Sequence, residues 1–382
     1  MKRKYRYGSS LLLVAALVAA GCGSDNGGAQ PAGSSASPTT KAPGTTAAGD
    51  STVTTKPAGK SADGISVAFI PHFRSPFTQI MIDGAQAAVD EFPGAKLVVA
   101  GPTGFDAPAA IAALEDAVAA GADGAAVVPF PAEVWTKPLK DHLAKGLVVA
   151  TLNVPALDSG APLYAGVNEF DIGRAIADVT IDALGDNPTG LVVLGNCFPG
   201  VQVLTDRIEG FNAQVADRAP ALEVSEAIDV LAEPTANLGA WEAAAAANPD
   251  AVAFAGFCAF DTPNLVRVKE QTGGDFVIAG GDLEPDTLQG IKDGSLTASV
   301  SQSPFMQGYV ATRAILENLV NGTPMPEGWI DAGIETIDAS TIADVEAREL
   351  DPALMKAWYQ GAIDAIFADS AAAAKPTDDL LG

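Results

Sequence analysis

The chain has 382 residues, 48% of them hydrophobic and 18% charged, with a formal net charge of −25. That length and apolar content suit two packed domains. So acidic a surface, with no basic patch to offset it, repels phosphate backbones and excludes nucleic acid as a partner.

The first element is a positive segment, Lys2, Arg3, Lys4 and Arg6, followed by a short apolar core over 11–18 and then Val18-Ala19-Ala20-Gly21-Cys22. The core is shorter than the ~20 residues that span a bilayer, so a cleaved export signal fits better than an anchor helix. Small residues closing on a cysteine resemble a bacterial lipobox. That resemblance implies a signal over 1–21 and lipid attachment at Cys22, which would hold the mature chain outside the cytoplasm on the cell membrane. Residues 22–63 are Gly, Ser, Thr, Ala and Pro with almost no large apolar side chain, which predicts a flexible linker.

From residue 65 the pattern changes to apolar runs alternating with helical stretches. Strands are predicted at 65–70, 96–100, 125–128, 147–152 and 163–167, with helices at 76–91, 108–120 and 132–145 between them. The rhythm restarts with a helix at 171–184, a strand at 190–195, a helix at 201–217, a strand at 222–227 and a helix at 235–247. Strands at 251–255, 276–279 and 296–301 follow, then a helix at 305–321 and an extended run at 329–337. The runs are continuously apolar rather than alternating, as for parallel strands covered on both faces. The fold class is therefore α/β, two Rossmann-like doubly wound lobes in tandem. Residues 340–382 are Ala- and Asp-rich and predict a helical tail that frays at its end.

The chain contains no G-x-S-x-G, no G-x-x-x-x-G-K-[ST] and no H-E-x-x-H. Nothing in it calls for a catalytic residue, a metal or a cofactor. Of the two histidines, His142 falls on a helix beside Asp141, whereas His72 lies in the loop after the first strand. Ligands in open parallel sheets bind beyond the carboxyl ends of the strands, and the residues there have a common character. Pro71-His72-Phe73-Arg74-Ser75-Pro76-Phe77 follows the first strand, and one of Phe73 and Phe77 is expected to pack beneath the loop. Phe105, Phe130 and Asn153 follow the next strands, and Asn196-Cys197-Phe198, Phe257-Cys258, Asp282 and Gln302 follow those of the second half. Aromatic faces with a few amides and carboxylates suit a polyhydroxylated ligand, whose C–H faces stack on rings while its hydroxyls bond to planar side chains. Cys197 and Cys258 take equivalent positions, so they either pair as an exported protein's disulfide or remain two small buried side chains.

Several stretches resemble the ribose-like sugar-binding proteins of the type I periplasmic family. Ser75-Pro76-Phe77 and Asp83-Gly84-Ala85-Gln86 match its opening N-P-F-F and D-G-A-Q, and Thr151-Leu152-Asn153 sits at its T-L-D-R. Pro199-Gly200 with Arg207-Ile208-Glu209-Gly210-Phe211 matches a further segment. Gly281-Asp282 and the run Asp293-Gly294-Ser295-Leu296-Thr297-Ala298 to Gln302 match the last. The resemblance covers roughly 65–337 and implies a periplasmic binding protein-like I fold with a three-strand hinge. The first lobe would comprise 64–168 and 303–327, the second 169–302 and 328–339, with crossings near Asn168, Gln302 and Trp329. It implies ligand binding by Phe77, Asn153, Asp282, Gln302 and, at the position of an arginine, Thr205, to which the strand-end reading adds His72, Phe73, Arg74, Phe130 and Phe257.

This sequence departs from the family where Val154 and Thr205 stand in place of arginines and Ser75 and Thr78 in place of an Asn and an aromatic. His72 and Arg74 are the expected replacement donors. The implied function is a monomeric binding protein that captures a sugar or polyol and delivers it to the permease of an ABC transporter. A sensory or chemotaxis receptor subunit for a sugar-like signal such as an autoinducer shares the fold. An exported hydrolase would need a nucleophile and base that the chain does not display.

Overall fold

The computed structural model describes residues 61–349 and 351–380. The expected signal, Cys22 and nearly all of the expected linker lie outside the described residues. Ala62 is already buried and accepts from the Ile65 amide at 3.0 Å, so the folded body includes the last residues assigned to the linker.

The first lobe opens with β1 (Ser66–Ile70), α1 (Pro76–Val89), β2 (Lys96–Val99), α2 (Ala107–Ala119), β3 (Gly124–Val127), α3 (Thr136–Leu143), β4 (Val148–Leu152) and β5 (Leu163–Gly166). The second lobe contains α4 (Glu169–Leu184), β6 (Gly190–Asn196), α5 (Gln202–Arg218), β7 (Leu222–Val224), β8 (Ile228–Asp229), α6 (Pro234–Ala247), β9 (Ala253–Gly256), α7 (Asp261–Thr272), β10 (Val277–Ala279) and α8 (Pro285–Asp293). The chain continues through β11 (Ala298–Ser301), α9 (Pro304–Leu316), β12 (Gly328–Asp331), β13 (Glu335–Asp338), α10 (Ile342–Glu349) and α11 (Pro352–Ala368).

The first sheet runs β12-β5-β4-β3-β1-β2, the second β10-β9-β6-β7 with β8 also beside β6, and β11 with β13 forms an antiparallel pair. Both larger sheets are parallel throughout. Every residue of β3 is buried. Side chains there divide by the two-residue period of a strand: Phe69 and Ala126 join the core that contains Met81 and Val310. Ala68, Ala125 and Val149 face Leu114, Trp135 and Leu139 of α2, α3 and the turn before α3. Alternate residues thus serve opposite helix layers, which is why the strands read as unbroken apolar runs.

Small residues draw helices together in each lobe. A Cβ on Gly84 of α1 would stand 2.0 Å from the Phe305 carbonyl oxygen, and one on Gly308 of α9 would stand 1.9 Å from that of Met81. The second lobe repeats the device: a Cβ on Gly173 of α4 would stand 1.8 Å from the Arg207 carbonyl oxygen, and one on Gly210 of α5 would stand 2.0 Å from that of Phe170. Gly84 and Gly210 are glycines of the D-G-A-Q and R-x-x-G-F stretches, and their role is backbone contact between helices.

Two boundary expectations need correction. The run 329–337 is two strands, and β12 belongs to the first lobe because it pairs in parallel with β5. The crossing therefore falls at 332–334 rather than near Trp329, where the Ala332 amide donates to the Gly166 carbonyl at 2.7 Å. The tail also ends differently. α10 packs on the second lobe, with Lys292 paired to Glu346 at 3.1 Å. α11 then packs on α1 and α9 of the first, burying Met355, Tyr359 and Ile363. Beyond it Lys375 exchanges backbone hydrogen bonds with Trp329, 2.9 and 2.8 Å, and Leu380 is buried against Tyr164 and Trp329. The tail thus crosses between lobes once more and closes on the edge of the first sheet, instead of fraying.

Candidate functional site

The carboxyl ends of both larger sheets face a cavity of about 290 Å³, lined mostly by apolar side chains. Its first-lobe wall begins in the loop between β1 and α1. Ser75 caps α1 through a reciprocal box: the Thr78 amide donates to Ser75 Oγ at 3.1 Å and the Ser75 amide to Thr78 Oγ1 at 2.9 Å. Thr78 Oγ1 also donates to the Phe73 carbonyl at 2.9 Å. The two residues that depart from the family pattern here therefore fix the loop that presents His72 and Phe73.

Rings form one side of the cavity. Phe73 lies 4.1 Å from Phe105 between centroids, and His72 stands 5.4 and 5.8 Å from Phe105 and Phe130. Phe198, from the loop after β6, meets Phe105 edge-on at 4.5 Å and Phe130 at 5.1 Å. Rings of the two lobes are thus in direct contact. Burial in this apolar setting pushes the His72 imidazole down to about 3, so it is neutral at physiological pH. The Cys197–Cys258 disulfide, with Cα atoms 6.4 Å apart, ties the loops after β6 and β9 together at the cavity wall.

The floor is polar and spans the hinge. Asn153 Nδ2 donates to Gln302 Oε1 at 2.8 Å, and Gln302 Nε2 donates to Asp282 Oδ1 at 3.1 Å. Gln307 Nε2 anchors the Gln302 carbonyl at 2.8 Å, and Ser299 Oγ does the same for the Asp282 carbonyl at 2.8 Å. Among the described residues five non-glycine positions have positive φ, and three of them are here: Asn153 at 64°, Asp282 at 68° and Ser303 at 50°. Backbone held in this region is strained, and it clusters where geometry serves a site.

Beside the floor, Arg207 is buried and donates from Nε to Glu169 Oε2 at 2.6 Å and from Nη1 to the Phe257 carbonyl at 2.8 Å. Burial raises the carboxyl of Asp282, partly countered by Arg207. Glu284 is pushed well above the carboxylate range, by burial first and the neighbouring Asp282 second.

Of the residues singled out from sequence, His72, Phe73, Phe77, Phe130, Asn153, Phe257, Asp282 and Gln302 line this cavity. Both Phe73 and Phe77 reach it, and Phe77 is also buried in the core, as expected of one of the two. Arg74 does not line it: its side chain is exposed and its amide donates to the Pro102 carbonyl at 3.0 Å. Thr205 does not line it either, because its hydroxyl bonds the Val201 carbonyl of its own helix at 3.3 Å. Arg207, two positions on and thus on another helix face, takes the place expected for Thr205. Phe105, Phe198 and Glu284 also line it. The first two are among the strand-end residues noted from sequence, and Glu284, two residues beyond Asp282, is the one that reading missed.

The profile of the family described as periplasmic binding protein domain matches residues 67–323. A xylose/arabinose-binding protein of Sulfolobus acidocaldarius is 28% identical over 285 residues, covering 69% of this chain and 64% of the relative. The ribose import binding protein of Bacillus subtilis is 25% identical over 203 residues, covering 53% of this chain and 64% of the relative. The chain thus spans somewhat less than two thirds of the length of these curated relatives. Among solved structures, an ABC transporter solute-binding protein from Burkholderia graminis in complex with D-arabinose superposes with a TM-score of 0.69 at 25% identity, covering 74% of this chain and 98% of that one.

Proposed function

This chain belongs to the periplasmic binding protein family, and from that premise we propose that it captures a sugar or polyol between its lobes and delivers it to an ABC importer. The carrying observation is the Asn153–Gln302–Asp282 chain of hydrogen bonds at the cavity floor, which runs from one lobe through the hinge to the other. A ligand touching that floor and both walls gains contacts only when the lobes are together, so binding favours the closed form. The relatives' names, for xylose, arabinose and ribose, support a hydroxylated ligand. His72, Phe73, Phe77, Phe130, Phe257 and Arg207 are the proposed ring and polar contacts around it. Capture proceeds without turnover and in a monomer. The lipobox-like stretch supports cleavage after residue 21 and anchoring through Cys22, which would keep a binding protein beside its permease.

Thermal unfolding of the full mature chain over a panel containing D-arabinose, D-xylose and D-ribose tests this reading. At ~100 times its Kd a true ligand adds ~2.7 kcal/mol of stability. Unchanged melting across every sugar and polyol tried would sink the assignment.

A further inference from the structure

Two carboxyl groups face the cavity with too little positive charge to balance both as anions, and Glu284 is pushed toward its protonated form. Asp282 and Glu284 both line it, and Glu284 lies close enough to Asp282 to feel its charge. The cation in the wall, Arg207, is committed to Glu169 through Nε and to the Phe257 carbonyl through Nη1. His72 is neutral and adds none. Glu284 Oε2 is buried without a hydrogen-bond partner among the described residues. A buried carboxyl oxygen left unpaired is costly and implies a partner from elsewhere, and an incoming cation would favour its ionised form. Among the described residues no group of three His, Cys, Asp or Glu side chains is placed to hold a metal ion.

The rings of the cavity favour the same kind of guest. Phe73, Phe105, Phe130 and Phe198 surround the cavity, and aromatic faces attract a cation, the more so when it is desolvated. A neutral hydroxyl offers one hydrogen to one carboxylate. An ammonium offers three donors and a full positive charge to two carboxylates and a ring face together. On the reading of the cavity as a sugar site, on which this step rests, we propose that the ligand carries a protonated primary amine on a hydroxylated frame, as in an amino sugar or aminopolyol. Glu284 is the group that selects for the amine, and Asp282 shares it.

Calorimetric titration of the full mature chain with matched pairs decides the point: D-glucosamine against D-glucose, and D-galactosamine against D-galactose, each with wild type and Glu284→Gln. At least one amine should bind ten-fold or more tightly than its parent, and Glu284→Gln should cut that margin below three-fold. A parent sugar binding as tightly as its amine, or a margin that survives Glu284→Gln, overturns the proposal while leaving sugar capture standing. Binding by neither member of any pair, nor by any neutral sugar, overturns the reading of the cavity itself and this proposal with it. Should Glu284→Gln fail to fold, the wild-type margin alone decides.

Discussion

His72 is held neutral by its surroundings, and the consequence for stability has a definite sign. Its ordinary value is 6.5 and burial lowers it to about 3. Below 6.5 the unfolded chain takes up a proton that the folded chain refuses until about 3, so the folded state loses stability as pH falls through that window. Between about pH 7 and pH 4.5, His72→Phe should therefore lose fewer degrees of melting temperature than wild type, measured by scanning calorimetry. Parallel acid profiles for the two proteins would show that the imidazole is not held neutral. Single residues also mark where sequence reading stops. The strand-end rule located His72, Asn153, Asp282 and Gln302, because a parallel sheet fixes which end of each strand meets ligand. It has no equivalent for a residue inside a helix. Thr205 was chosen by alignment to an arginine, whereas the buried positions Val203, Leu204, Arg207 and Phe211 of α5 show that the inward face passes through 207. Arg74 failed for a different reason. A cation beside two rings in one loop says nothing about which way each side chain points.

Among elements, the helix pairs α1–α9 and α4–α5 are joined where glycine lets backbone touch backbone. Gly84→Ala would drive a methyl group into the Phe305 carbonyl from 2.0 Å, a clash with main chain that no rotamer relieves. Overpacking of this kind costs about 1–3 kcal/mol or more, so the variant should melt several degrees lower. Gly84 does not line the cavity, and affinity per folded molecule should stay unchanged in the same preparation. An Ala variant as stable as wild type would mean that the helices stand further apart than described. The α/β order was legible because buried parallel strands and amphipathic helices leave distinct patterns. The sheet membership of β12 was not, since Trp329 and Ile330 form the same apolar pattern whichever sheet receives them. Its pairing with β5 joins residues far apart in sequence, and only the assembled hinge decides between the two sheets.

For the whole molecule, the tail is a structural part of the two-lobe body. Tyr359 of α11 stacks on Phe305 of α9 at 5.9 Å, and Lys356 pairs with Glu91 at 2.6 Å. Each large apolar side chain withdrawn from water contributes about 1.5–3 kcal/mol, so deleting residues 351–382 uncovers Met355, Tyr359 and Ile363 contacts worth several such contributions. The truncated chain should lose ten degrees or so of melting temperature by circular dichroism, and an unchanged midpoint would show the tail to be dispensable packing. The last residues of the tail have a different consequence. Backbone bonds between Lys375 and Trp329 occupy the outer side of β12, which ends one side of the first sheet. The other end is β2, where Val98 is 41% exposed and, among the described residues, no strand lies beyond it. Unsatisfied strand edges are where chains add to one another and aggregate. At high local concentration, copies of this protein are sealed against such addition on one flank, and Lys96, the charge at the head of β2, is the guard on the other.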